Sequence, residues 1–486
     1  MSKSVAIIGG GIAGLTSGIY ARMNGFETDI YEMQSKAGGL CTAWKRKGFT
    51  FDGCVHWLTG TTPSSSYYKL WDEIGAIRGK EFYNYEYYGQ ARDAEGNRFF
   101  AYADPDKLRE HMLSIAPEDK KQIDRIVRDI KVFMKYEMPV EFSFSKAYPT
   151  LRILLMFYKY RNPIADLASK FKNPVLRNLF QMAFDWGPMC SAFPLWSLAL
   201  MAQGNAGYPI GGSLPLIESI EQKYRDLGGR IHFHSKITRI ITENDTATGI
   251  ELEDGSIIKS DFIISAADGY STIFNWLDGN YTGKKITRAY QSLKLFPPLV
   301  YISLGVDGNY SQEPHSITFP LKTPIRIGPD EIKHLFVKNY SFDPTLAPAG
   351  KSVLTLMIHT KYEYWEGLKD NKELYLSEKD RIGEEVVKGL SQLYPGIRDK
   401  IEAMDVATPL TFVRYTGNYK GSYEGWMLDK KALTIQFPLT LPGLKNFYMA
   451  GHWVAPGGGL PAGLITGRNV IRKICKSEKK KFVTKE

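Results

Sequence analysis

The chain opens on four consecutive apolar residues, Val5 to Ile8. So short an unbroken apolar run predicts a strand buried on both faces of a parallel sheet. Leu15 to Asn24 predicts a helix ending at Gly25, and Glu27 to Tyr31 a second strand that delivers Glu32. Residues 213–227 carry helical periodicity closed by Gly228-Gly229. Strands are expected next at 230–234, 236–242, 247–252 and 256–265, with turns at Glu243-Asn244-Asp245 and Asp254-Gly255. Residues 82–88 and 98–102 alternate aromatics about a turn at Asp93 to Asn97, the pattern of a hairpin. Further strands are expected at 299–305, 315–319, 333–340 and 352–359, and a helix at 372–393 that stops before Pro395-Gly396. Near the end, Asn446 to Gly451 reads as a strand and Leu464 to Cys475 as a helix. Pro461 falls near that helix's first turn, where a missing N–H costs nothing.

The first strand, helix and second strand frame a glycine pattern with a chemical meaning. Gly9 permits a tight turn and Gly11 lets backbone approach a pyrophosphate. Gly14 lets the helix pack on the strand, with Ile12 and Ala13 between. Glu32 stands where an acid accepts hydrogen bonds from a ribose diol and repels a 2′-phosphate. Strand, glycines, helix, strand and acid in that order predict a dinucleotide site.

A second glycine pair, Gly38-Gly39 before Leu40, is either an ordinary turn or a place where amides meet the pyrophosphate of a buried FAD. The C-terminal stretch decides for FAD. Gly451 ends a strand, and Gly459, Leu460, Pro461, Ala462 and Gly463 lead into the last helix. A helix N-terminus carries partial positive charge and free N–H donors. Aimed at the N1–C2=O edge of an isoalloxazine, it would stabilise the negative charge gained on reduction. Cys475 lies past this segment, so the FAD is expected to be non-covalent.

These residues resemble the phytoene desaturase, carotenoid isomerase and retinol saturase group of FAD-dependent oxidoreductases, within the flavin amine oxidase superfamily. The resemblance rests on the N-terminal glycines with Glu32, on Gly38-Gly39 leading to Gly48-Phe49-Thr50-Phe51-Asp52-Gly53, and on Tyr208-Pro209-Ile210-Gly211-Gly212-Ser213. Ala407-Thr408-Pro409-Leu410-Thr411 and the segment Ala450 to Gly467 complete it. Two positions depart: Leu40 stands where many relatives have Arg, and His452 where amine oxidases have an acid for the ribityl chain.

The resemblance implies an α/β fold: a Rossmann-type FAD-binding domain with a discontinuous α+β substrate domain built on an antiparallel sheet. The expected FAD-binding segments are 1–75, 207–275 and 425–486. The substrate domain takes 76–206 and 276–424, with a helical, possible membrane-facing insertion. It also implies that a backbone group in the strand holding Ile237 meets the adenine.

Composition agrees. A chain of 486 residues suggests two domains, and 43% hydrophobic with 23% charged residues is ordinary for a soluble globular protein. No apolar stretch is long enough to span a bilayer. Lys3 followed by Val5 to Leu15 mimics a signal peptide, but its glycine spacing fits a nucleotide turn, so a cytoplasmic location is expected. Cys41, Cys54, Cys190 and Cys475 show no C-x-x-C or zinc spacing and are expected as free thiols. Residues 148–161 are apolar but punctuated by Arg152, Lys159 and Arg161. They suit either a buried helix or one lying on a membrane with its basic residues snorkelling. The net charge of +10 and the tail of Lys476, Lys479, Lys480, Lys481 and Lys485 favour an anionic surface or are simply solvated. No nucleic-acid module is evident.

A flavin exchanges hydride with carbon, so the protein must hold a substrate against the ring and manage a proton. His56, beside Trp57, and His452 are the candidate acid–base groups; each could instead hydrogen-bond the cofactor or a carbonyl. Tyr83, Tyr85, Tyr87, Phe99 and Tyr102 either line an apolar channel or pack across strands. No second dinucleotide fold is apparent, so NAD(P)H, if it is the electron donor, would dock transiently at the flavin. The expected function is FAD-dependent desaturation, saturation or isomerisation of carbon–carbon double bonds in a long apolar substrate such as a carotenoid, retinoid or other lipid. The alternatives are an amine oxidase, with Lys294 beside the flavin, and a prenyl-protein escort without flavin.

Overall fold

The computed structural model describes residues 2–138, 140, 147–435 and 437–484. Of the basic tail, Lys485 lies outside them. A five-stranded parallel sheet, in the order Arg230–His232, Glu27–Tyr31, Ser4–Ile8, Phe262–Ser265 and Phe447–Met449, forms the nucleotide-binding layer. The first strand is buried from Val5 to Ile8, as its apolar run requires. Helix Ile12–Met23 follows directly, three residues earlier than the apolar pattern alone indicated, because Ile12 and Ala13 also turn inward. A Cβ on Gly14 would stand 1.9 Å from the carbonyl oxygen of Gly9, so only glycine lets helix and turn approach this closely.

The last helix, Gly459–Ser477, crosses that first helix. A Cβ on Gly467 would stand 2.7 Å from the Ala13 oxygen. The last helix begins at the glycine run itself, not at Leu464.

The expected strand 256–265 is two strands in two sheets. Ile257–Lys259 closes a three-stranded antiparallel sheet with Thr246–Leu252 and Ile237–Glu243, while Phe262–Ser265 joins the parallel sheet. Asp261 separates them, its carboxylate accepting from the Ser4 N–H at 2.8 Å and hydroxyl at 3.0 Å.

The second large layer is a seven-stranded sheet in the order Ile401–Ala407, Leu299–Val306, Ser352–His359, Asp330–Asn339, Ser316–Ile327, Tyr87–Arg92 and Arg98–Tyr102. Its neighbours are antiparallel except for one parallel pairing, Ser316–Ile327 with Tyr87–Arg92. The period-two alternation of strands decides what each face does. Val300, Ile302 and Leu304 pack with Ile382, Val386 and Leu390 of helix Lys372–Leu390. Leu299 and Tyr301 point the other way, into the central cavity.

The expected hairpin is shorter than its aromatic run. Only Tyr87–Arg92 pairs with Arg98–Tyr102; Phe82–Tyr83 pairs with Ala206–Pro209. Between Pro105 and Ala202 lies a helical block that includes Lys120–Lys135, Ala147–Lys159, Pro174–Phe184 and Ala192–Ala202. No helix of the described residues is long and apolar enough to cross a membrane.

Candidate active site

One cavity of about 600 Å³ runs between the parallel sheet and the seven-stranded sheet. At one end its wall is backbone. Gly9, Gly11, Ile12, Ala13, Glu32, Gly38, Gly39, Leu40 and Ile237 meet there with Gly451, Gly459, Leu460, Pro461, Ala462 and Gly463. Of the predicted cofactor residues, Gly14 alone is not among the lining residues, because it is spent on packing against Gly9.

Two helix N-termini open onto this end. Helix Ile12–Met23 is preceded by Gly11 and helix Gly459–Ser477 by Gly458, and neither cap residue has a side chain to occupy the free N–H groups. Uncapped helix starts are built to meet anionic groups. The Glu32 carboxylate faces the same cavity, held by N–H donors from Gly10 at 2.7 Å and Gln34 at 2.9 Å. Burial pushes its pKa up, and those backbone donors pull against it. Uncapped helix starts, close-approach glycines and a fixed acid together fit an FAD: the first helix for the pyrophosphate, Glu32 for the ribose, the last helix for the flavin carbonyl edge.

The opposite end is apolar. Trp57, Trp186, Met189, Phe193 and Trp196 line it, with Leu154 and Phe157 from helix Ala147–Lys159. Tyr83, Tyr85, Tyr87, Phe99 and Tyr102 do not. Tyr83 stacks on Phe342 at 4.4 Å and Tyr85 on His315 at 4.3 Å, so packing against neighbouring aromatic rings is their role.

His56 and His452 both line the cavity. Burial depresses His452 to about 4, and its Nε2 has no partner among the described residues. Burial, then the neighbouring Lys338 ammonium, holds His56 well below the usual range. Both rings are therefore neutral at physiological pH, which suits hydrogen bonding rather than proton exchange near neutrality. The His56 carbonyl is pinned from behind by Tyr85 Oη at 2.9 Å and Lys338 Nζ at 3.3 Å. Lys294 is exposed and absent from the cavity wall, which removes the flavin-side lysine suggested for an amine oxidase.

Sequence reasoning placed Asp268 only at a strand edge near the nucleotide, and missed Glu424. Asp268 caps the turn after strand Phe262–Ser265, accepting from Ser271 N–H at 2.7 Å and Tyr419 N–H at 2.8 Å, and burial raises it to about 6. Glu424 reaches the cavity from the loop before the last strand, its Oε1 3.8 Å from where a Gly459 Cβ would be. It makes no hydrogen bond or ion pair to the described residues, and burial raises it to about 8. Neither acid sits in a motif; Glu424 was visible only as a lone carboxylate among Tyr423, Gly425 and Trp426.

Nucleotide-binding sheet, glycine cradle and apolar pocket in one cavity define an FAD-dependent oxidoreductase. The chain belongs to the flavin containing amine oxidoreductase family, whose pattern matches residues 12–475. It is 24% identical to 4,4′-diaponeurosporene oxygenase of Staphylococcus haemolyticus (strain JCSC1435), over 97% of each chain. The enzyme of that name from Staphylococcus aureus (strain MW2) is 23% identical over 99% of each chain. The fold is similar to that of an oxidoreductase from Methanosarcina mazei, with TM-score 0.60 and 16% identity over 97% of this chain and all of that one. It is also similar to putrescine oxidase bound to putrescine, with TM-score 0.61 and 13% identity over 98% of this chain and 99% of that one.

Proposed function

We propose that the protein uses FAD to desaturate, saturate or isomerise carbon–carbon double bonds of a long polyene of the carotenoid type. The observation that carries this is the aromatic box of Trp57, Trp186, Phe193 and Trp196, continuous with the glycine cradle in a single cavity. Flat apolar walls suit a conjugated chain, and among the described residues they offer an amine no carboxylate besides Glu424 at that end. The similarity to 4,4′-diaponeurosporene oxygenases supports the same substrate class.

Bound FAD supplies a two-electron acceptor or donor at its N5. The aromatic box holds the chain and excludes water. The N-terminus of Gly459–Ser477 favours negative charge at the cofactor edge. Glu424, protonated at neutral pH, is the group that gives or takes the proton. His452 and His56 stay neutral as hydrogen-bonding groups. The segments 1–75, 207–275 and 425–486 form the FAD-binding part in this reading, and 76–206 with 276–424 the substrate part.

Helix Ala147–Lys159 supports a membrane entry for the substrate. Tyr148, Leu151, Leu154, Leu155 and Tyr158 are each more than half exposed, while Leu154 and Phe157 reach the cavity. One helix thus presents apolar surface outward and forms part of the pocket.

The test is to supply 4,4′-diaponeurosporene in vesicles to the purified yellow protein, with and without NADPH under nitrogen, and follow the polyene spectrum. A changed chromophore is expected, and bleaching of the flavin by NADPH would identify the electron donor. An unaltered polyene together with peroxide release on adding putrescine would overturn the reading in favour of an amine oxidase. Colourless protein would favour an escort.

A further inference from the structure

Cys41 and Cys54 lie at the open ends of the hairpin formed by Ala43–Arg46 and Phe49–Asp52. Its register pairs Ala43 with Asp52, and the Gly53 N–H donates to the Thr42 oxygen at 3.0 Å. The strands end there, and one further step of that register would bring Cys41 opposite Cys54, at a position without ladder hydrogen bonds. Antiparallel Cα atoms there stand about 4.5 Å apart, inside the span of roughly 4.4–6.8 Å that a disulfide bridges.

The Cys41 thiol lies near enough to Cys54 to act on its ionisation, and Cys41 Sγ donates to the Ser213 oxygen at 3.8 Å. Both thiols are free and both residues line the flavin cavity; Cys190 and Cys475 do not. The neighbouring Cys41 thiol, then burial, holds the Cys54 thiol well above its usual range, so the resting pair is a dithiol that needs a base to react. Two carboxylates, Asp52 and Glu424, act on Cys54, and only Glu424 shares the cavity wall.

We propose that Cys41 and Cys54 are a redox-active dithiol–disulfide pair that exchanges electrons with the flavin. The inference rests on FAD occupying the cavity as argued above. In the oxidising direction the two S–H bonds break and one Sγ–Sγ bond forms. The electron pair and one proton reduce the oxidised flavin, and the second proton goes to the ionised form of Glu424, the minor form at neutral pH. The reverse steps return the dithiol. The pair is an electron store beside the cofactor, filled when the flavin is reduced and drained when it is oxidised.

An anaerobic dithionite titration of holoprotein first treated with diamide reads this directly. Wild type should take up about four electrons per flavin, two for each couple, and Cys54→Ser about two with its flavin spectrum unchanged. Cys54→Ala provides the same comparison should the serine variant not fold. Peptide mass spectrometry of the diamide-treated protein should show Cys41 and Cys54 cross-linked, and separate after reduction. About two electrons per flavin in wild type, with both cysteines open to alkylation, overturns the pair. Colourless protein would overturn the flavin reading, and the cross-link would then decide the cysteine pair alone.

Discussion

The Gly10 N–H donates to the Glu32 carboxylate at 2.7 Å, tying the end of the second strand to the first glycine turn. A Cβ on Gly10 would stand 3.2 Å from the same oxygen, so acid and loop are fitted to each other. Glu32 is therefore held before any ligand arrives. A hydrogen bond to a charged group contributes about 1.5–3 kcal/mol, so Glu32→Ala should weaken FAD retention roughly 10- to 100-fold. Flavin fluorescence released on dilution measures this, and unchanged retention would remove Glu32 from the site.

Gly11 and Gly14 separate a ligand role from a packing role. Gly14→Ala drives a Cβ to 1.9 Å from the Gly9 oxygen, an overpacking that should cost roughly 3 kcal/mol or more. Gly11 has an ordinary φ of −74°, and its Cβ would meet only the Gly38 oxygen, at 3.8 Å. Gly11→Trp should fold and come off the column colourless, whereas Gly14→Ala should lower the Tm. A fully yellow Gly11→Trp would sink the pyrophosphate assignment.

Glu424 and His452 give opposite pH dependences. Unfolded, Glu424 ionises near 4.5; folded, it keeps its proton to about 8. The stability it contributes is complete below 4.5 and is lost as pH rises through 8. His452 titrates near 6.5 unfolded and about 4 folded. Its contribution is present above 6.5 and is lost as pH falls through 4. Glu424→Gln should flatten the melting profile between pH 5 and 8, by an amount on the order of a few kcal/mol, and remove the limb near pH 8 from kcat/KM. His452→Gln should flatten only the acid side. A kinetic limb near 8 that survives Glu424→Gln would assign the proton elsewhere.

The outward face of helix Ala147–Lys159 is tested by charge. Each apolar side chain withdrawn from water contributes about 1.5–3 kcal/mol. Leu155→Glu combined with Tyr158→Glu should therefore lower binding to anionic vesicles at least roughly tenfold. The Tm should hold, since both residues are exposed. Co-sedimentation that does not change would locate the membrane contact elsewhere.

Some of this was legible along the chain. The cradle at Gly9, Gly11, Gly38, Gly39 and Gly459, and its acid at Glu32, could be read directly, because tight turns and close backbone approach are local demands that only glycine meets. Strand and helix positions followed from apolar periodicity, failing where a short polar break such as Asp261 sends the chain into another sheet.

The sequence by itself determined the nucleotide fold, the cofactor and the order of the elements, since each depends on residues close together in the chain. Only the tertiary structure decided which side chains share the cavity. It put Glu424 there and left Lys294 outside, set Cys41 against Cys54, and packed the tyrosines of the hairpin away from the pocket. It also made the histidines neutral and Glu424 protonated. Those outcomes follow from desolvation by elements distant in sequence, and no spacing along the chain records how much water a carboxylate or an imidazole will lose.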